Sequence, residues 1–355
     1  MKLSVIIPTY NRLDVLGLCL ESLARQEKID RTEIEVLVYN DGGDEQAGAI
    51  CEEIASQDNW GYEWRYQHCE HQGPSALRNL ATREAQGDWV LYLNDDVTLS
   101  DQHLHQHLTF QQQVASHPNI PQHNGAPLAA AKGMTRWAPD SITTPMMRWL
   151  VRQSFFYYLI TDPTNIGYEY YHTCDLSIPR KLVTDLAPFN EVFPFPGWED
   201  TEWGWRLENA GLKLHLLPNA ETLHHHVYSE ENLWRRCYTN GRCAAMFVPL
   251  VPELRGRAID DFIREEEIPG GFHPGWKKHA YRALWNLKKL LKGTPNLDGS
   301  DNSWNLHQQA LDYWESSPLP EKDTVDFWAE KTRREHVRGF LEESIRMNGV
   351  PYPWQ

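Results

Sequence analysis

The chain has 355 residues, 41% of them hydrophobic, which is enough apolar material for one large core or two smaller ones. A formal net charge of −15 excludes a protein that grips nucleic acid through a broad phosphate-neutralising surface. Six cysteines, at positions 19, 51, 69, 174, 237 and 243, follow no disulfide or zinc spacing and read as reduced thiols of a cytoplasmic protein.

No apolar leader precedes Leu3 and no apolar run reaches bilayer-spanning length, so the expectation is a soluble or membrane-peripheral protein. Leu3-Ser4-Val5-Ile6-Ile7-Pro8 predicts a strand closed by proline, followed by the loop Thr9-Tyr10-Asn11-Arg12. Leu13, Leu16, Leu20 and Leu23 recur at helical spacing, with Asn11 placed to cap. Ile34 to Tyr39 predicts a second strand that ends in Asn40-Asp41-Gly42-Gly43-Asp44. A helix from Ala47 to Ser56 leads to a strand around Trp64 and Tyr66, and Gly73-Pro74-Ser75 opens a helix from Ala76 to Ala85. Trp89-Val90-Leu91-Tyr92-Leu93 is a continuous apolar run, the pattern of a strand buried on both faces, and it exits into Asn94-Asp95-Asp96.

Strand, loop, helix, strand is the unit of a parallel sheet, and right-handed crossovers bring the three polar strand ends to one edge. Ligands of open α/β sheets sit at that edge. Each loop by itself is equally a turn, because Asp, Asn, Gly and Pro are the favoured turn residues. Their repetition at successive strand ends is what argues for a site.

Ser100 to His117 reads as a helix capped by Ser100. His103 and His107 share a face of it and could pair on a metal, but the sequence places no carboxylate or cysteine beside them, and solvent-facing histidines are the plainer reading. Leu128 to Met134 predicts a strand, with Arg136 and Trp137 in the following loop. Residues 139–170 read as a long irregular segment lining a cleft for an acceptor. In Phe195-Pro196-Gly197-Trp198-Glu199-Asp200-Thr201-Glu202 the acids start a helix, where they either complement the helix dipole or do chemistry. Lys213 to Pro218 is a strand, and Ala220 to His226 ends in three histidines that are either an exposed loop or metal ligands. Leu233 to Ala245 is a helix whose Arg235, Arg236 and Arg242 could meet phosphate. Residues 276–292 form an amphipathic helix with a lysine-rich face, suited either to an anionic membrane surface or to solvent.

Four pieces in order, Val5 to Arg12, Val38 to Gly43, Gly73 to Asn79 and Gly87 to Asp96, resemble the nucleotide-binding half of family-two glycosyltransferases of the GT-A fold. The resemblance implies an α/β fold: a mostly parallel, Rossmann-like sheet flanked by helices. Residues 1–99 would hold the nucleotide sugar and residues 100–250 the acceptor, with a mainly helical extension over residues 251–355. It also implies an inverting transferase acting on a UDP- or dTDP-linked sugar, with a glycan or lipid-linked acceptor as in cell-surface polysaccharide synthesis. Pro8, Thr9, Tyr10, Asn11, Arg12, Asp41, Arg78, Asn94 and Asp95 would line the donor. Asp41 has the chemistry to accept the imide N–H of uracil or thymine. Asp96 would hold a divalent metal, Mn2+ or Mg2+, together with His224, or with His226 as second choice. Asp200 would be the general base, with Glu199 orienting the acceptor and Trp198 and Trp137 packing against it; a base must lie opposite the leaving diphosphate, which Asp96 does not. The chain departs from the family's acid-x-acid pattern at Asn94, which brings no negative charge to a cation. A non-catalytic nucleotide-sugar or glycan-binding protein of the same fold is the alternative. A nucleotidyltransferase would need a glycine-rich, basic first loop, which Pro8 to Arg12 is not.

Overall fold

Alternate side chains of the first strands go to opposite faces, and both faces are apolar. Leu3, Val5 and Ile7 enter one core while Ile6 enters another; Trp89, Leu91 and Leu93 divide from Val90 and Tyr92 in the same way. Only a sheet covered on both sides buries such strands. A computed structural model describes residues 2–254, 322 and 324–347 of the chain. The amphipathic segment 276–292 lies outside the described residues. The chain divides into two compact units, one of residues 1–194 and 199–227, the other of residues 195–198 and 228–355.

The first unit is built on an eight-stranded sheet. Its strands are β1 (Leu3–Thr9), β2 (Ile34–Asn40), β3 (Glu63–His68), β4 (Trp89–Leu93), β5 (Val97–Leu99), β8 (Ala129–Trp137), β9 (Asp175–Pro179) and β10 (Lys213–His224), with a small hairpin of β6 (Gln122–His123) and β7 (Ala126–Pro127) outside it. The order is β3-β2-β1-β4-β9-β8-β10-β5. Pairing is parallel from β3 to β4 and between β8 and β10, and antiparallel at β4–β9, β9–β8 and β10–β5. Helices α1 (Leu13–Ala24), α2 (Gln46–Ala55) and α4 (His103–Ser116) cover one face through Leu16, Leu20, Ala47, Cys51, Leu104 and Phe110. On the other face lie α3 (Pro74–Glu84) and α6 (Glu199–Asn209), through Leu77, Ala81, Trp203 and Leu207. The irregular segment contains one short helix, α5 (Pro145–Val151), capped by Thr144.

Two expected caps are absent. Asn11 does not cap α1: its backbone is left-handed at φ 54°, and its Oδ1 accepts instead from the Asp44 N–H. Ser100 contributes only its carbonyl, to the His103 N–H. The break expected at Pro218 is an irregularity inside one long strand, where the β8–β10 register shifts between Leu217 and Glu221; proline cannot donate to the ladder there.

In the second unit, α7 (Glu230–Leu250), capped by Ser229, packs on α8 (Val325–Met347). Gly241 and Gly339 face the partner helix's backbone with no room for a Cβ, which sets the close approach. The cations expected to meet phosphate are engaged within this unit. Arg235 pairs with Glu231, Arg236 bonds the Pro196 carbonyl, and Arg242 pairs with Glu343 at 2.7 Å. No helix of the described residues is long and apolar enough to cross a membrane. All six cysteines are free and buried.

Candidate active site

The parallel strands β1, β2 and β4 deliver three loops to one edge of the first unit. Asp41, directly after β2, is buried and accepts the backbone N–H groups of Gln72 (2.9 Å) and Gly73 (3.1 Å), so it ties the β2 loop to the start of α3. His71 Nδ1 lies 3.0 Å from the Asp41 carboxylate, and its ring stands 5.1 Å from that of Tyr10, which is 48% exposed. Tyr10 and His71 thus offer flat faces beside an anchored carboxylate. Pro8 pairs with Tyr39 in the ladder. Asn94 bonds the Cys174 carbonyl through its backbone N–H, 3.4 Å away.

Asp95 and Asp96 are both buried, with different partners. Asp95 takes the Thr9 hydroxyl at 2.7 Å on one oxygen and Arg12 Nη1 at 3.1 Å on the other, so it braces the first loop against the third. Burial pushes its carboxyl up to about 6. Burial acts on Asp96 in the same direction, yet His224, His226 and Arg12 outweigh it and hold that carboxyl well below the usual range.

The histidines reach Asp96 because of a pairing between distant segments. β5 starts one residue after Asp96 and runs antiparallel to the end of β10, Val97 opposite His224. The His225 N–H then donates to the Asp96 carbonyl at 2.7 Å. Side chains of an extended segment alternate, so His224 and His226 fall on one side and His225 on the other, where its Nε2 lies 2.9 Å from the Thr98 hydroxyl. His224 Nε2 is 3.2 Å from one Asp96 oxygen and His226 Nδ1 is 3.0 Å from the other. The three ligand atoms lie within 4.8 Å of one another. A carboxylate and two imidazoles, with burial lowering the pKa of His226, fit a divalent transition-metal ion. Arg12 Nη1 lies 2.6 Å from the same Asp96 oxygen as His226, and its side chain is 39% exposed. A cavity of about 610 Å³ opens here, lined by Asn11, Arg12, Asp44, Asp96, His225 and His226 among others.

The acid pair sits at the first turn of α6. Asp200 Oδ2 accepts the Thr173 N–H at 3.1 Å and its hydroxyl at 3.3 Å. Arg78 on α3 reaches Glu199 at 3.5 Å and Asp200 at 4.0 Å. Glu199 has a side-chain exposure of only 4%, whereas Asp200 retains 21%. Asn94 bonds Cys174 and Asp200 bonds Thr173, neighbours in the chain, so the end of β4 and the start of α6 meet on one segment.

Trp137 and Trp198 belong to different units. The Trp137 ring packs 4.8 Å from His224 and 6.1 Å from Phe155, whose backbone is left-handed at φ 52°. Trp198 belongs to the second unit, where its indole N–H donates to Asn240 at 3.0 Å. His103 and His107 correct the sequence reading: both are fully buried, and Asp175 of β9 is the carboxylate the sequence did not place beside them. Thr173, His71 and Phe155 escaped the sequence reading. Their roles depend on contacts with residues far along the chain, and the only local signal was the aromatic richness of residues 139–170.

Comparison with known proteins agrees with this architecture. The family model described as glycosyl transferase family 2 matches residues 4–173. Chondroitin synthase of Escherichia coli is 27% identical over 251 residues, 65% of this chain and 35% of that protein. The poly(ribitol-phosphate) beta-N-acetylglucosaminyltransferase TarS of Staphylococcus aureus is 35% identical over 96 residues, 27% of this chain and 16% of that protein. The chain therefore spans well under half the length of these curated relatives. Among solved structures, the mannosyltransferase PcManGT from Pyrobaculum calidifontis, in complex with GDP-Man and Mn2+, superposes with a TM-score of 0.55 at 14% identity, covering 97% of this chain and 87% of that one. The S. aureus TarS 1–349 complex with UDP-GlcNAc gives 0.52 at 14% identity, covering 99% and 93%. Fold, strand-end loops and sequence match agree: residues 4–173 match the model of glycosyl transferase family 2, and the fold is of GT-A type.

Proposed function

We propose that the protein is a metal-dependent, inverting glycosyltransferase that moves a sugar from a UDP- or dTDP-linked donor to a hydroxyl of a glycan or lipid-linked acceptor in polysaccharide synthesis. The observation that carries this reading is the Asp96–His224–His226 cluster at the exit of β4, together with the Glu199–Asp200 pair held by Arg78 and by Thr173, the neighbour of the Cys174 that Asn94 bonds. The names of the chondroitin synthase and TarS relatives support a polymer-building role, and the UDP-GlcNAc complex of the TarS structure supports a uridine donor.

Tyr10 and His71 flank the base, and Asp41, whose oxygens each keep a lone pair beyond their main-chain bonds, accepts its imide N–H. Asp96, His224 and His226 hold Mn2+ or Mg2+, which when bound neutralises charge on the leaving diphosphate. Asp200, the more exposed acid, takes the acceptor hydroxyl proton as that oxygen attacks the anomeric carbon and the bond to the diphosphate breaks. Thr173 fixes its second oxygen, and Arg78 orients Glu199 beside it. Trp137 and Phe155 wall the site next to His224.

A panel of nucleotide sugars tests the proposal by thermal stabilisation and donor hydrolysis, with Mn2+ and with EDTA. The expected result is Mn2+-dependent stabilisation and slow hydrolysis by one uridine or thymidine diphosphate sugar. Equal stabilisation in EDTA with no turnover would make the chain a binding protein of the same fold.

A further inference from the structure

A second cluster lies at the start of β9, where Asp175 pairs with Leu93, the last residue of β4. His103 and His107, one turn apart on α4, both aim Nε2 at the same oxygen of Asp175 on β9, at 3.0 and 3.2 Å. All three side chains are fully buried, and their ligand atoms lie within 4.8 Å of one another. Hydrogen bonds alone satisfy this group incompletely: Asp175 Oδ2 and His103 Nδ1 have no partner and no access to water. Lys132 is close by, but its ammonium donates to the Asp175 main-chain carbonyl at 3.1 Å and to the Thr135 hydroxyl at 3.3 Å. Position 133 is glycine because a Cβ there would fall on Asp175 Oδ2, so β8 leaves room for the carboxylate in this orientation.

We propose that His103, His107 and Asp175 form a structural metal site, separate from Asp96, that takes a borderline transition-metal ion such as Zn2+. Imidazole and carboxylate donors at about 2.0–2.1 Å from one tetrahedral ion stand about 3.3 Å apart, close to the two separations seen here. Two histidines four residues apart on a helix face, with a carboxylate from a neighbouring strand, make a set of three protein ligands, and Asp175 Oδ2 is available as a fourth donor. The Ser177 hydroxyl, 2.8 Å from His107 Nδ1, accepts that ring's other N–H and fixes Nε2 as the ligand atom. Two imidazole nitrogens among the three donors select Zn2+ or Co2+ over Mg2+, which prefers oxygen ligands. An ion here would tie α4 to the central strand β9, and being enclosed it would load during folding and resist chelators.

The test uses the full chain carrying Asp96→Ala, which disables the other cluster, produced with zinc and passed through a gel-filtration column in EDTA. Metal is counted by plasma mass spectrometry on protein whose circular dichroism shows it folded. The expected result is close to one zinc per chain, and chain produced with cobalt instead shows the visible absorption bands of a four-coordinate cobalt ion. Adding His107→Gln, which keeps a hydrogen bond to Asp175 but removes a zinc ligand, abolishes both. Folded Asp96→Ala protein free of zinc and of the cobalt bands overturns the proposal, and so does zinc retained undiminished after His107→Gln.

Discussion

At the residue scale, the roles proposed for Asp200 and Asp96 rest on their different partners. Asp200 has one oxygen fixed by Thr173 and a side chain 21% exposed, while Asp96 is enclosed by two imidazoles and a guanidinium. Asp200→Asn should lower kcat by about 10²- to 10⁴-fold, the usual weight of a general base, while leaving donor affinity within about twofold. Steady-state transfer paired with donor titration checks this, and near-normal kcat would remove Asp200 from the role. Thr173→Val is a milder version: it removes the hydroxyl bond but not the backbone one, so kcat should fall by about tenfold or less. Both acids were legible in the sequence, because each falls at a strand end or helix start beside a recognisable motif. The sequence put Asp95 among the donor-lining residues; only the contact with Thr9, 86 residues earlier, shows that it braces loops.

At the scale of elements, the first four strands and three helices follow from periodicity, because each strand is a contiguous apolar run and each helix a striped one. β5 did not, being three residues long and defined by its partner at the end of β10 rather than by its own composition. That pairing brings His224 and His226 to Asp96, so the metal cluster was named in the sequence only through a family resemblance. β9 illustrates the same limit. It lies antiparallel between β4 and β8, and its Asp175 has no meaning until α4 is laid across it. Gly133→Ala puts a methyl group on the Asp175 carboxylate and should destabilise the chain by about 1–3 kcal/mol, read as a lowered Tm. An unchanged Tm would mean that β8 and β9 can part at no cost.

At the scale of the whole molecule, the minus 15 charge and the buried histidines make stability depend on pH. Burial, with Lys132 adding to it, lowers His172 from the ordinary histidine value of 6.5 to about 4. The unfolded chain therefore binds a proton between pH 6.5 and 4 that the folded chain refuses. This contribution is fully present above pH 6.5 and is lost as the pH falls through 4. It amounts to about 2 kcal/mol after allowance for the ring's partial exposure. His172→Asn should flatten the fall in unfolding free energy across that window, measured by urea titration at several pH values, and an identical slope would contradict the assignment. The sequence disclosed that the apolar strands need cover on both faces, but not where the chain divides. Residues 195–198 belong to a different unit from the acids that follow them, and nothing in their composition marks the change.

The central claim is that Asp96 with its two histidines makes nucleotide binding depend on a metal ion. Calorimetric titration of UDP into the wild-type chain and into Asp96→Ala, each with Mn2+ and with EDTA, tests it most directly. Wild type should bind at least about tenfold more tightly with Mn2+, a difference of about 1.4 kcal/mol, and Asp96→Ala should lose that difference. Equal UDP affinity in Mn2+ and EDTA for the wild-type chain, or a full Mn2+ response in Asp96→Ala, would contradict the account.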